Sequence, residues 1–518
     1  MLKNFKNVLI VSVPFLLKYV FLFTFIEWNL FNVEDLQEDL LFLVITNLLL
    51  HTRFSRNKFV RDIICFIYLV YFVLETSSYI AVSSNFSSSY MYLLLESNSQ
   101  ELREFTYSYI NITIIIFVIL CAALFFIIRK KQFSFFNNKK SIIAFLGSVF
   151  IAVFLKLTGL IEHNVYHNIV RGIYGYIDLQ SSVNFNSKIT KDDVFVTADN
   201  DVLVFVLGES TVRGHMGIYG YNRETTPLLN TIKDSLFIYN NVISSDVFTV
   251  KSVPKILTSL DVNSKKEDVI SLVEMFNAAG YKTYWLSNQR AISYHDNVTS
   301  KIASAANSFK FYNHIIDKHT LVLDEKVLPD YKQILNKPGK KVVFVRLIGT
   351  HFDYNKRYPK LYKKFYNPEA KHKEIEIVNH YDNAVLYNDF IVFSLIKNLQ
   401  KINKKSALLY ISDHGENLYD EGTQFFGRSE DVLTKSMFEI PFLLWTSKDF
   451  SYPLDFEYVK NRRFMADHTY ESICHIFGVL NKDINASKSI FSKTFKERKR
   501  EVINGLDFDN YFKFQVKK

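Results

Sequence analysis

The chain has little cysteine. Cys65, Cys121 and Cys474 are the only three in 518 residues, and the first two lie inside apolar segments. No cysteine zinc motif and no disulfide framework can be assembled from them, although low cysteine use does not exclude export. A concentrated basic patch is also missing. The formal charge is +10, yet the lysines are scattered and many lie in short loops between apolar segments. That distribution argues for membrane topology and a surface facing anionic lipid, and against nucleic acid as a partner. No small-residue cleavage site follows the first apolar segment, Val8 to about Phe25, so it reads as a retained anchor rather than a signal peptide. No internal repeat is visible.

Apolar and aromatic residues are plentiful, with 48 Phe and 31 Tyr, and they crowd the chain before residue 160. At this length a single core is excluded, so the asymmetry predicts a membrane domain over 1–160, a juxtamembrane helix and linker over 161–200, and a soluble domain over 201–518. Five transmembrane helices are expected: Val8 to Phe25, Leu40 to Leu50 (short, starting as early as Val33), Ile63 to Val82, Ile110 to Ile128 and Ile142 to Leu157. Arg53, Arg56, Lys58 and Arg61 lie between the second and third, and Arg129, Lys130, Lys131, Lys139 and Lys140 between the fourth and fifth. The intervening loops carry Glu34, Asp35, Glu38 and Asp39, then Glu96, Glu101 and Glu104. By the positive-inside rule the amino terminus is cytoplasmic and everything after Leu157 is outside. Between the third and fourth spans, the stretch near 87–109 is too polar to cross but mixes Tyr90, Leu93 and Phe105 with charge, the pattern of an interfacial helix.

The soluble part is organised around Val202-Leu203-Val204-Phe205-Val206-Leu207, which breaks into Gly208-Glu209-Ser210. Six apolar residues without polar alternation read as a strand buried on both faces of a parallel sheet. Two further runs end similarly: Val342 to Val345 leads to His351, and Ala407 to Ile411 leads to Ser412-Asp413-His414-Gly415-Glu416. Strands alternate with helical patterns, as in a doubly wound α/β sheet, where ligands gather at the carboxyl edge. If the three strands are parallel neighbours, Glu209, His351, Asp413 and His414 meet there. Carboxylates and imidazoles together suit zinc, a borderline ion that accepts oxygen and nitrogen ligands.

Further motifs run along the soluble domain in order: Gly208 to Met216, Tyr219-Gly220-Tyr221, Arg223-Glu224-Thr225-Thr226-Pro227, Ser252-Val253-Pro254, Trp285 to Gln289, Lys356-Arg357-Tyr358-Pro359, Tyr381-Asp382-Asn383 and Ser412 to Glu416. Together they resemble the motifs of the membrane phosphoethanolamine transferases, in the alkaline phosphatase and sulfatase superfamily. The resemblance covers nearly the whole soluble domain and implies a mostly parallel central sheet. It further implies that Thr249 is the nucleophile and a zinc ligand with Glu209, Asp413 and His414. His351 is then a catalytic and phosphate-handling residue, and Asn288 lies near the substrate. A further histidine expected about a dozen residues past the Asp-His pair is replaced by Phe425-Phe426-Gly427, and the cysteines expected to flank the nucleophile are Ser245 and Lys255. A disulfide there is excluded, which leaves packing to hold the Thr249 loop.

The activity implied is transfer of phosphoethanolamine from phosphatidylethanolamine through a covalent intermediate to an envelope acceptor, such as lipid A, a lipopolysaccharide core sugar or another glycan. The implied location is a bacterial inner membrane with the catalytic domain in the periplasm. Val250 to Leu260 is expected to begin a helix aimed at the phosphoryl oxygens. Ser210 is a rival nucleophile, more simply read as a small residue that lets the strand turn. The alternatives are a phosphoglycerol transferase of the lipoteichoic type and an inactive envelope scaffold. A sulfatase proper would need a Cys or Ser in a maturation motif that is not found.

Overall fold

The computed structural model describes residues 2–25, 33–82, 85–97, 99–131, 133, 136–157, 164–182, 189–264, 269–289, 298–312, 322–367, 373–423, 425–430 and 432–515. The chain divides into two compact units, one of Met1–Leu95 with Glu101–Tyr176 and one of Glu96–Gln100 with Ile177–Lys518.

The first unit is helical: α1 Leu2–Phe25, α2 Val33–Leu50, α3 Lys58–Val82, α4 Ser89–Glu96, α5 Ser99–Tyr109, α6 Ile112–Arg129 and α7 Asn138–Leu157, with α8 Val165–Ser182 following. Among the described residues three stretches are long and apolar enough to cross a membrane, Lys6–Thr24, Lys58–Ala81 and Ile112–Arg129. The interfacial stretch forms two short helices, α4 and α5, rather than one. In the juxtamembrane stretch, residues 158–163 and 183–188 lie outside the described set, and α8 stands between them.

One expectation is corrected here. Glu34, Asp35, Glu38 and Asp39 read as loop charges, but they form the first turns of α2. Asp39 is fully buried, 2.6 Å from Lys18 Nζ of α1, and accepts hydrogen bonds from Tyr19 of α1 (2.7 Å) and Tyr71 of α3 (2.9 Å). A buried carboxylate is tolerable only with such partners, and these come from two other helices that local composition does not reveal.

The second unit is built on a seven-stranded sheet of β1 Val202–Gly208, β2 Leu236–Ile238, β3 Lys282–Ser287, β4 Ser308–Phe311, β5 Lys341–Arg346, β6 Ser406–Ser412 and β7 Phe442–Thr446, in the order β2-β7-β6-β1-β5-β3-β4. The pairs β6-β1, β1-β5, β5-β3 and β3-β4 are parallel, while β7 runs antiparallel to both its neighbours. β1 is central, and every residue in it is buried. Leu203, Phe205 and Leu207 enter one apolar core and Val202, Val204 and Val206 the other, which is why the strand shows no polar alternation. Helices on both faces complete the layers. They include α9 Thr249–Leu257, α10 Leu272–Ala278, whose start is fixed by a capping box between Ser271 and Glu274, and α11 Lys373–Gln400.

Candidate active site

Strand register assembles the site. Leu207 of β1 pairs with Arg346 of β5 and Ile411 of β6, and Gly208 pairs with Ser412. The next residues along, Glu209 after β1 and Asp413-His414 after β6, therefore emerge side by side. The chain turns sharply at Ser210, which has a left-handed φ of +56°. The strain is held by hydrogen bonds on both sides: Ser210 N donates to Asp413 Oδ1 (3.0 Å), and Tyr381 of α11 donates to the Ser210 carbonyl (2.7 Å).

Glu209, Asp413 and His414 are buried, and their ligand atoms lie within 4.8 Å of one another. His414 Nε2 is 3.4 Å from Glu209 Oε1 and 3.3 Å from Asp413 Oδ2. Thr249 Oγ1, at the first residue of α9, lies 3.0 Å from Glu209 Oε1 and 3.1 Å from His414 Nε2. Four ligands on a tetrahedron with bonds of ~2.0–2.1 Å are spaced by about 3.3 Å, so these separations fit zinc. Two further features support the fit. Asp413 Oδ1 accepts the amides of Ser210 and His414, whereas Oδ2 is buried without a hydrogen-bond partner among the described residues. His414 Nδ1 donates to the Gly415 carbonyl (2.8 Å), which orients Nε2 toward Glu209 and Asp413.

Electrostatics agree with a site built for a cation. Burial alone would raise the Glu209 carboxyl, but the hydrogen bond and charge of His414 hold it well below its usual range. Burial and the neighbouring Glu209 charge push Asp413 up to about 6. Burial pushes His351 down to about 3 despite the attraction of Glu209, so its imidazole is neutral. Its Nδ1 is buried without a hydrogen-bond partner among the described residues.

Not every residue singled out in the sequence converges. Asn288 is fully buried and donates to the Val322 carbonyl (3.0 Å) and Asp324 Oδ1 (2.8 Å), tying β3 to the stretch before β5. Its neighbour Gln289 reaches the site instead, donating to Glu209 Oε2 (2.8 Å) and to the Leu347 carbonyl (3.0 Å). Ser210 donates to Glu209 Oε1 (3.0 Å) and is fully buried, whereas Thr249 is partly accessible. The Thr249 loop is held by hydrogen bonds as well as packing: Ser244 donates through Oγ to the Asp413 carbonyl (2.6 Å) and through N to that of Phe438 (2.8 Å). Phe426, where a histidine was expected, packs against Tyr354 and Tyr419.

Arg428 escaped the sequence reading, and a lone arginine in a polar loop gives no signal to find it by. Its side chain is only 9% exposed. Its Nε is 3.3 Å from Glu416 Oε2, and one terminal nitrogen is 2.6 Å from His414 Nε2. The first motif also has a supporting role. His215 Nδ1 lies 2.7 Å from Asp382 Oδ1 of α11, whose other oxygen accepts from Tyr221 (3.0 Å) and Arg223 (2.7 Å). These bonds pin the loop after β1 to the long helix.

The sulfatase family model matches residues 201–477. Phosphoethanolamine transferase EptC of Escherichia coli (strain K12) is 29% identical over 478 residues, covering 82% of this chain and 81% of that protein. Phosphoethanolamine transferase CptA of Salmonella typhimurium is 28% identical over 471 residues, covering 83% and 81%. Among solved structures, the C-terminal periplasmic domain of Escherichia coli EptC in complex with Zn superposes with a TM-score of 0.58 at 33% identity, over 61% of this chain and 95% of that one. The integral membrane lipooligosaccharide phosphoethanolamine transferase A of Neisseria meningitidis shares the fold with a TM-score of 0.70 at 21% identity, over 94% and 97%. The chain belongs to the sulfatase family, and within it to the phosphoethanolamine transferases.

Proposed function

We propose that this chain transfers phosphoethanolamine from phosphatidylethanolamine to an envelope acceptor, a lipid A, lipopolysaccharide core sugar or other glycan. The observation that carries the reading is the position of Thr249 Oγ1, within hydrogen-bond distance of both Glu209 and His414 at the partly accessible lip of an otherwise buried polar cluster. The names of the relatives EptC and CptA supply the transferred group. Glu209, Asp413, His414 and Thr249 would hold zinc, which when bound favours the deprotonated threonine oxygen.

Thr249 Oγ attacks the donor phosphorus, the bond from phosphorus to the diacylglycerol oxygen breaks, and the threonine proton ends on released diacylglycerol. An acceptor hydroxyl then attacks the same phosphorus, the bond to Thr249 breaks, and the acceptor's proton returns to the threonine oxygen. His351, whose Nδ1 is buried without a hydrogen-bond partner among the described residues, is the candidate to relay the acceptor's proton. The start of α9 directs its amide groups and positive dipole end toward the phosphoryl oxygens. Phosphoryl transfer depends mainly on such positioning and charge neutralisation.

Helices that anchor the chain in a membrane suit an enzyme whose donor is a lipid. In this reading 1–160 is the membrane domain with five spans, 161–200 the connection and 201–518 the catalytic domain, in the periplasm of a bacterial inner membrane. The test is release of diacylglycerol from phosphatidylethanolamine vesicles by the purified full chain. Zinc-loaded wild type should release it and Thr249→Ala should not. Release from phosphatidylglycerol alone would favour phosphoglycerol transfer, and release from neither lipid would favour the scaffold.

A further inference from the structure

Arg428 is a partly buried cation at the lip of the site that the transfer chemistry above leaves without a task. Its guanidinium is fixed on two sides: Nε faces Glu416 Oε2 at 3.3 Å, and Cζ lies 5.7 Å from the centroid of the Phe248 ring, the residue before Thr249. Glu416 is in turn held by Tyr354, which donates to its Oε1 at 2.6 Å. The terminal nitrogen of Arg428 is 2.6 Å from His414 Nε2, and Thr249 Oγ1 is 3.1 Å from the same atom. Two atoms that each lie at hydrogen-bond distance from a third are no more than ~6 Å apart. A phosphoryl group bonded to Thr249 Oγ1 therefore puts its free oxygens within reach of the guanidinium.

We infer that Arg428 binds the transferring phosphoryl and supplies the second positive charge of this site, in place of a second metal. Among the described residues Glu209, Asp413 and His414 form the single group of three that could hold an ion, and the arginine stands beside it. The lone pair of His414 Nε2 cannot serve both a metal and the arginine. When a metal takes it, that arginine nitrogen, which also lies 4.0 Å from Glu209 Oε1, faces the phosphoryl oxygens as the acceptors that the reaction brings. A planar guanidinium matches two such oxygens at once, and its clamp on Glu416 and Phe248 spares the cost of ordering it at the moment of reaction.

The inference rests on phosphoryl transfer at Thr249 and not on which group the phosphoryl carries, so it is tested with inorganic phosphate. Calorimetry on the zinc-loaded full chain in detergent should show phosphate affinity falling by about 10- to 100-fold in Arg428→Ala, with partial recovery in Arg428→Lys, the loss expected for removing a charge-assisted pair. Zinc content should stay near one per chain in both variants. Because Arg428→Ala leaves Glu416 buried without its partner, Arg428→Met with Glu416→Gln repeats the measurement in a background that removes the pair together, and the same loss is expected. Phosphate affinity within twofold of wild type in variants that retain zinc would overturn the inference. Loss of zinc from Arg428→Met/Glu416→Gln would overturn it too, because the arginine would then belong to the metal site. A loss of phosphate affinity in a protein that forms no phosphoethanolamine adduct would sink the transferase reading and leave this one standing.

Discussion

Gly349 is a position where a single methyl group should damage the site. It lies between β5 and His351 with a left-handed φ of +52°, and a Cβ built there would stand 2.9 Å from the Glu209 carbonyl oxygen and 3.0 Å from the Glu209 nitrogen. Neither side can yield easily. The Glu209 carbonyl accepts hydrogen bonds from Thr350 N (3.1 Å) and Thr350 Oγ1 (3.0 Å), and the amides of Ile348 and Gly349 are held by Asp324 at 2.9 and 3.0 Å. In Gly349→Ala the left-handed backbone costs about 1–2 kcal/mol and the forced contact about 1–3 kcal/mol, for a loss of roughly 2–5 kcal/mol. At roughly 2 °C per kcal/mol for a unit of this size, the melting temperature of the detergent-solubilised chain should fall by about 4–10 °C. The displaced backbone is that of Glu209 itself, so zinc affinity, measured by chelator competition, should also fall by about tenfold or more. Gly339→Ala separates the two contributions: its φ is +83° but nothing lies within 4 Å of the added Cβ, so only the backbone cost and an unchanged zinc affinity are expected. If Gly349→Ala melts and binds zinc like Gly339→Ala, the close approach of the two loops is wrong.

Gln289→Ala removes the donor to Glu209 Oε2 and should weaken zinc binding by about 10- to 100-fold, read by chelator competition, with little change in melting temperature. Burial lowers the pKa of His215, but its bonds to Asp382 and Asp420 prevail and hold it up at about 9, above the ordinary 6.5. The stabilisation is therefore complete below pH 6.5 and is lost as the pH rises through about 9. Melting of the full chain should decline over that interval in the wild type, and the decline should be shallower in His215→Gln.

The sheet was legible wherever burial on both faces removes polar alternation. β1, β5, β6 and β7 are apolar runs, and the parallel register of the first three turns their sequence positions into neighbours, which is how Glu209, Asp413 and His414 could be gathered in advance. Thr249 had no such signal of its own. It starts a helix 40 positions away from Glu209, and its place came from the family resemblance. Arg428 and Gln289 were missed because each is placed by a partner across a loop or a strand, His414 and Glu416 for one and Glu209 for the other, and composition carries no trace of pairing. The acids of α2 were misplaced for the same reason. Charge pattern distinguishes loops from spans only while the charges face water, and Asp39 instead faces Lys18 and two tyrosines.

The central claim is that Thr249 is the nucleophile, and trapping the covalent half-reaction tests it most directly. The zinc-loaded full chain, incubated with phosphatidylethanolamine and no acceptor, should accumulate phosphoethanolamine on the protein, because the first half of a ping-pong reaction does not need the second substrate. Intact-mass and peptide mass spectrometry should place the adduct on Thr249, with none in Thr249→Ala and retention in Ser210→Ala. An adduct on Ser210, or none at all in a protein that holds zinc, would contradict the account.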